Sequence, residues 1–551
     1  MVMMISLSQN GAGRTSHEST ASFAPDEITA LVAEIRRPLG LLVDPATGRR
    51  GAQLLPDPLR DRGTHGAGSG PAGLLGVLPA IYPEWLGSRE FCAAHRTRFP
   101  YLAGEMSTGI ATTEMVEKLA GADLMGFFGA GGLRERVVRD SVERLSRSLR
   151  GRDNWGVNLL HSPNEPAVEA RTARLLVELG VPAVSASAYM DLTPPLVLCM
   201  ARGLRAGRSG GVERPRRLLA KVSRPETAER FMSPPPEPLL RRLVADGDLS
   251  EGEAALAARI PVAEDITVEA DSGGHTDNRP LGIMLPAIRA LRDRLAGSYG
   301  HPRAVRVGAA GGLGTPAAVA TAFALGADYV LTGSVNQAAV ESGMSADGRR
   351  MLAGADLTDT AMAPAADMFE MGVRLQVLRR GTMFASRAGL LHELYQAHGS
   401  LEEIPARRRA QLEEQVFRRP LEAVWAETAR FWAERDPAQL TRAEADAKHR
   451  MALVFRWYLG RSSRWAITGD PGRKADYQIW CGPAMGAFNR WVAGSFLAAL
   501  EHRTVVQIAL NLLEGAAVIT RAHQARTCGL PVTPAGFGFT PRRLAESGGV
   551  R

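Results

Sequence analysis

The sequence predicts an α/β fold, a TIM (β/α)8 barrel with an inserted segment and a C-terminal helical domain. Three observations lead there. Between residues 96 and 344 short apolar runs alternate eight times with amphipathic helical stretches, the pattern of parallel βα units. Five of the expected helices open on proline, which is favoured in a first turn because its missing N–H would be unpaired there anyway. The seventh and eighth runs end in Gly-rich loops, the positions at which this fold binds phosphate. An open doubly wound sheet is the competing architecture, but eight units in about 250 residues is the size of a closed barrel.

The expected strands begin with Phe99-Pro-Tyr-Leu-Ala, Leu124-Met-Gly-Phe-Phe, Trp155-Gly-Val-Asn-Leu-Leu and Ala183-Val-Ser-Ala-Ser. Leu218-Leu-Ala-Lys-Val, Ile266-Thr-Val-Glu, Val305-Arg-Val-Gly and Tyr329-Val-Leu-Thr complete the set. Helices are expected from Thr112, Leu133, Pro166, Pro194, Pro225, Pro280, Pro316 and Val335. Residues from about 225 to 264, which include a Pro-rich SPPPEP, form an insertion between the fifth and sixth strands.

Outside the barrel, residues 1–25 are polar and Ser/Thr/Gly-rich and are expected to be disordered. Residues 26–95 hold one helical pattern, Glu27 to Arg36, a Gly/Pro-rich stretch around Gly63 to Gly73, and an aromatic segment expected to pack on the barrel. Beyond Met344 the strand signal disappears, so residues 345–551 read as helices. Four of the eight tryptophans (Trp457, Trp465, Trp480, Trp491) cluster there. They either pack helices together or line a cleft for an extended acyl chain.

Composition narrows the function. The chain has 551 residues, too many for one core. Four scattered cysteines without a CxxC pair argue against a zinc site or disulfide framework and for a reducing compartment. No basic N-terminal region with an apolar core marks a signal peptide, and no apolar run is long enough to cross a bilayer; a cytoplasmic location is expected. The net charge is +8, with 62 of the 66 basic residues arginine. That balance reflects either a GC-rich genome or a surface for an acidic partner. The arginines are dispersed and lack interleaved aromatics, which disfavours nucleic acid.

Barrel chemistry sits at the C-terminal strand ends. Those of strand one are Gly104, Glu105 and Met106, in a small-residue loop against which a flat ring can lie. Strand three brings Asn158, strand five Lys221, and strand six Glu269 followed by Gly274 and His275. Strands seven and eight bring Gly311, Gly312, Gly333 and Ser334. A dinucleotide fingerprint is the other reading of the seventh loop, but it needs an acid at the end of the following strand, and that strand ends in Thr-Gly-Ser. Lys221, inside an apolar strand, either faces an anionic ligand or pairs with Glu269 or Asp271. His275 is either a satisfied loop histidine or a proton-transfer group.

Many long motifs in order resemble the PfaD family of trans-acting enoyl reductases. Among them are GEMSTGIATTEMVEKLAGADLMGFFGAGGL, AKVSRPETAERFMSP, EADSGGHTDNRP, AAGGLGTPAAVATAFALGADYVLTGSVNQ, AMAPAADMFEMGV and DYQIWCGPAMGAFNRW, and the resemblance runs from about Leu78 to the C-terminus. The barrel half is also similar to nitronate monooxygenases and FMN-dependent enoyl reductases, with Ser272 standing where that wider group has the alanine of its AGGH motif. The resemblance implies FMN in the barrel, with its phosphate on Gly311, Gly312, Gly333 and Ser334. Asn158 and Lys221 would contact the isoalloxazine, and Gly104, Glu105, Met106, Glu269 and Gly274 would complete the wall. His275 would be the active-site histidine. The implied reaction is NADPH-dependent reduction of an enoyl thioester on an acyl carrier protein of a polyketide or polyunsaturated fatty acid synthase. The alternatives are a nitronate monooxygenase-type flavoprotein and a non-catalytic component that docks carrier proteins.

Overall fold

The computed structural model describes residues 20–56, 73–208, 210–301 and 304–546. Most of the N-terminal stretch expected to be disordered, and the Gly/Pro-rich segment from 57 to 72, lie outside the described residues. Two compact units emerge, residues 1–82 with 517–539, and residues 83–516 with 540–551.

In the smaller unit a helix over Pro25–Ala33 buries Ile28 and Val32. It accompanies an antiparallel sheet of β1 (Leu39–Val43), β2 (Arg50–Leu54) and β3 (Leu74–Leu78), in the order β2-β1-β3. Ser22 bridges to Ala52, so the end of the polar leader is ordered. The expectation of a single helical segment is therefore incomplete: a sheet is present, and Arg521 is fully buried in this unit, its guanidinium donating to the carbonyls of Ile35 and Pro79.

The larger unit contains the barrel. Its strands are β4 (Tyr101–Ala103), β5 (Met125–Phe128), β6 (Trp155–Leu160) and β7 (Ala183–Ser187), then, after a two-residue ribbon β8/β9 (Arg205–Ala206, Val212–Glu213), β10 (Arg217–Val222). β11 (Asp265–Glu269), the short β12 (Gly274–His275), β13 (Arg306–Ala310) and β14 (Val330–Thr332) follow. Eight of them close as β10-β11-β13-β14-β4-β5-β6-β7, each neighbouring pair parallel. All eight expected strands are present in the expected order. Pro166, Pro194, Pro225 and Pro316 each open a helix, and Thr112, Thr193 and Thr315 cap three helices through their hydroxyls. The last helix of the barrel is a short turn, Ser334–Gln337. The insertion holds three helices, Pro225–Met232, Glu237–Ala245 and Glu251–Ala257.

At the N-terminal face of the barrel lies a buried ion cluster. Asp265 and Arg306 open neighbouring strands in register, and Arg306 donates to both Asp265 oxygens at 2.5 and 2.8 Å. His95 completes the cluster at 2.9 Å. Burial pushes the Asp265 carboxyl up, but His95 and Arg306 hold it well below the ordinary carboxylate range.

Two expectations for the C-terminal half are overturned. Residues 345–551 are not purely helical: β15 (Thr360–Pro364) and β16 (Arg374–Leu378) form a hairpin, and β12 adds to its edge in the order β12-β16-β15. The hairpin has one β-branched residue per strand, Thr360 and Val377, and a proline in β15, so its identity comes more from pairing than from local propensity. Secondly, the helix Val505–Thr527 is long and apolar enough to cross a bilayer by length and composition. Within its most apolar window 94% is buried inside the protein, and Gln507, Asn511 and Glu514 interrupt the apolar run. It is a core helix. The remaining helices, among them Phe384–Ala397, Leu421–Arg435 and Ala447–Thr468, pack around Phe369, Phe417, Phe455 and Tyr458.

Candidate active site

A cavity of about 640 Å³ opens at the C-terminal ends of the barrel strands. Every candidate residue read from the sequence lines it. Gly104, Glu105 and Met106 come from the end of β4, Asn158 from β6, Lys221 from β10, and Glu269, Gly274 and His275 from β11 and β12. Gly311, Gly312, Gly333 and Ser334 line its far side. Gly311 and Gly312 have φ of 86° and 71°, a left-handed backbone that favours glycine. A Cβ at Gly312 or Gly333 would meet no atom within 4 Å, so both backbones face open space.

Lys221 is held between two carboxylates, with Nζ 3.3 Å from Glu105 Oε1 and 3.2 Å from Glu269 Oε1. Of the two pairings the sequence left open, Glu269 is used and Asp271 is not. Asp271 instead accepts from Gln376 at 2.8 Å and from Asn278 at 2.9 Å. Burial disfavours the Lys221 charge, but Glu105 and Glu269 outweigh it and hold the ammonium well above the usual lysine range. Glu105 also accepts from the Ser187 hydroxyl. One lysine between two glutamates leaves the cluster with a net negative charge.

Buried polar atoms of four cavity-lining residues have no partner among the described residues: Ser272 Oγ, Gln337 Oε1, and the pair formed by Asn158 Nδ2, a donor, and Glu105 Oε2, an acceptor. The other side of the Asn158 amide is used, accepting from the amides of Ala130 and Gly131 at 2.7 and 3.2 Å. An unpaired buried polar group costs about 1–3 kcal/mol, so this pair is explained best by a ligand carrying the complementary groups.

For His275, a loop histidine or a proton-transfer group by sequence, the structure adds a partner. His275 Nε2 lies 3.2 Å from Asp367 Oδ1, in the connection between β15 and β16. The β12–β16 pairing aligns His275 with Leu375 and Gly274 with Gln376, which brings that hairpin to the sixth barrel loop. Burial opposes the imidazolium, but the Asp367 carboxylate more than offsets it, raising His275 above its ordinary value; His275 in turn lowers Asp367. Sequence reasoning missed Asp367. Its only local signal is its place in a motif-like patch, and nothing in the spacing of residues 275 and 367 predicts a contact.

Trp480 lines the cavity and, with Trp457 and Trp465, packs on the helical core, while Trp491 meets Phe488 edge to face. Helix packing by the aromatic patch is thus observed, and Trp480 in addition lines the cavity. The segment after Trp480 closes against the barrel loops. A Cβ on Gly273 would lie 2.9 Å from Cys481 N, and one on Gly482 would lie 2.8 Å from Gly273 N. The Gly482 amide donates to Ser334 Oγ at 3.2 Å. Gly314 abuts the Ala484 carbonyl so closely that a Cβ has no room. Gly314→Ala is therefore expected to cost about 1–3 kcal/mol through overpacking and to loosen the seventh loop, visible as a lower thermal midpoint and weaker binding of any phosphate ligand held there. An unchanged midpoint would show that this approach is not tight.

A closed parallel barrel whose charged, glycine-lined cavity is completed by a second layer of chain defines a barrel enzyme with a small-molecule site. Residues 398–477 match the model of the inserted helical domain of [acyl-carrier-protein] S-malonyltransferase. The chain is 42% identical over 508 residues to a polyunsaturated fatty acid synthase component of Thraustochytrium sp., covering 91% of this chain and 33% of the relative. It is 45% identical over 443 residues to polyketide biosynthesis protein PksE of Bacillus subtilis, covering 80% of this chain and 57% of the relative. The chain thus spans between a third and somewhat over half of these curated relatives. The crystal structure of the enoyl reductase domain of MlnA, from the macrolactin biosynthesis cluster of Bacillus amyloliquefaciens, superposes with a TM-score of 0.77 at 36% identity, covering 81% of this chain and 99% of that one. The chain belongs to the PfaD-like family of enoyl reductases associated with polyketide and polyunsaturated fatty acid synthases.

Proposed function

We propose that this chain is an FMN-dependent enoyl reductase that uses NADPH to reduce the α,β-double bond of enoyl thioesters carried on an acyl carrier protein. The observation that carries the cofactor is the orphaned pair in the cavity wall. Asn158 Nδ2 and Glu105 Oε2 offer one donor and one acceptor, which match the carbonyl and N–H of a flavin imide edge. The open backbones at Gly312 and Gly333, with Gly311 and the Ser334 hydroxyl, are suited to a phosphate. When bound there, a flavin supplies hydride transfer from NADPH to the β-carbon of the enoyl group.

This chain's residues then hold and aim the reactants. Lys221 keeps a positive charge in the wall, and Glu105 and Glu269 fix its position. Because its charge is already matched, Lys221 orients rather than neutralises. Asp367 occupies His275 Nε2 and sustains the imidazolium, leaving Nδ1 to donate to a thioester carbonyl or to protonate the α-carbon. Trp480 and the hairpin cover the cavity and exclude water from the reacting atoms. The carrier protein is the partner this family's synthases provide, and a cytoplasmic setting goes with it.

The test is a visible spectrum of the purified protein followed by anaerobic NADPH and crotonyl-loaded carrier protein. A yellow protein bleached by NADPH and recoloured by the crotonyl thioester supports the reading. Recolouring only by oxygen with an alkyl nitronate would make it a nitronate monooxygenase, and a colourless protein that takes up no FMN would leave only carrier docking.

A further inference from the structure

Four cationic side chains line the cavity, and three are already matched. Lys221 lies between Glu105 and Glu269, His275 faces Asp367, and Arg224 grips Asp277 through Nε and Nη2, each at 2.9 Å. Arg374 is the fourth. It is exposed at the cavity edge and makes no ion pair among the described residues. Its Nη2 donates to the Met362 carbonyl at 3.0 Å, which steadies the guanidinium on the hairpin and leaves other N–H donors for a ligand.

Its position is set by strand pairing. Arg374 opens β16 opposite Pro364, and the next residue, Leu375, is in register with His275. Arg374 therefore belongs to the same small sheet as His275, and both residues line the cavity. The charge layout along the cavity is graded. The Glu105–Lys221–Glu269 cluster inside is net negative and repels an anion, whereas the unmatched cation at the rim attracts one. A ligand with an uncharged reactive end and an anionic tail would be drawn in with one orientation.

We propose that Arg374 binds the phosphate ester at the outer end of a ligand whose reactive end reaches the His275 loop. This rests on the proposed enoyl reductase reading, in which both incoming molecules carry such an ester: the 2′-phosphate of NADPH and the phosphate of the pantetheine arm. A guanidinium suits either, since its planar fork matches phosphate oxygens.

The test compares binding by calorimetry to the full-length protein of NADP⁺ with NAD⁺, and of 4′-phosphopantetheine with pantetheine, in wild type and Arg374→Ala. The wild type is expected to prefer the phosphorylated member of at least one pair by about tenfold or more. Arg374→Ala should abolish that preference while leaving affinity for the unphosphorylated member unchanged, and Arg374→Lys should restore part of it. The pair that responds identifies the source of the phosphate. An equal affinity within both pairs in wild type, or an equal loss for both members in Arg374→Ala with an unchanged thermal midpoint, would overturn the proposal. Phosphate preference in a protein that reduces no enoyl thioester would instead retire the reductase reading and leave the phosphate site standing.

Discussion

His275→Ala is expected to lower the rate at which a crotonyl carrier-protein thioester reoxidises the NADPH-reduced enzyme by about 10²- to 10⁴-fold, the usual contribution of a positioned general acid. FMN content should be unchanged, because His275 is not part of the proposed phosphate or ring contacts. The companion variant Asp367→Asn separates charge from position. In wild type, Asp367 raises the histidine, so the protonated form persists above the ordinary histidine value of 6.5 and is lost only as pH rises through the elevated one. Burial opposes that charge, as does Lys221, and Glu269 supports it, so removing the Asp367 carboxylate lets the imidazole lose its proton at lower pH. The alkaline limb of the pH–rate profile should therefore move to lower pH in Asp367→Asn. The stability that the ion pair adds has the same sign, being present below the ordinary histidine value and lost as pH rises. A stopped-flow profile for Asp367→Asn that overlays wild type would sink the assignment of His275 as an acid poised by Asp367.

The second large effect concerns stability. Asp265→Asn removes the counter-charge from buried Arg306 and His95 and is expected to cost about 3–5 kcal/mol. Urea unfolding followed by tryptophan fluorescence reads this as an earlier midpoint. Replacing both partners, Asp265→Leu with Arg306→Met, should recover much of the loss, because the penalty comes from leaving one charge alone rather than from losing the pair. Since the Asp265 carboxyl is held far below its ordinary value, its contribution is complete above that value and disappears as pH falls through the depressed one. A single Asp265→Asn variant within about 0.5 kcal/mol of wild type, the range of ordinary surface substitutions, would mean the cluster is not a stabilising unit.

The barrel was legible because each βα unit is a local pattern. Apolar runs such as Trp155–Leu160 and Ala183–Ser187 match the observed strands residue for residue, and threonine caps and first-turn prolines mark helix starts that need no distant contact. Strand ends follow from the strands, so the cavity-lining residues Asn158, Lys221, Glu269 and the four loop residues from Gly311 to Ser334 could be named in advance. The hairpin β15/β16 could not. Thr360–Pro364 and Arg374–Leu378 have little strand propensity of their own and become strands by pairing with each other and with Gly274–His275.

Local order in the chain was thus enough to specify the (β/α)8 frame, the glycine loops and the cavity residues at the strand ends, because those depend on periodicity and chain-neighbour geometry. Partnership required the folded molecule. Lys221 meets Glu105 across 116 residues, His275 meets Asp367 across 92, and Arg374 is the cavity cation with no carboxylate partner among the described residues. Charge balance is a property of distances in space. It sets which histidine holds a proton and which arginine is free to bind, and it emerges only when remote segments are brought together.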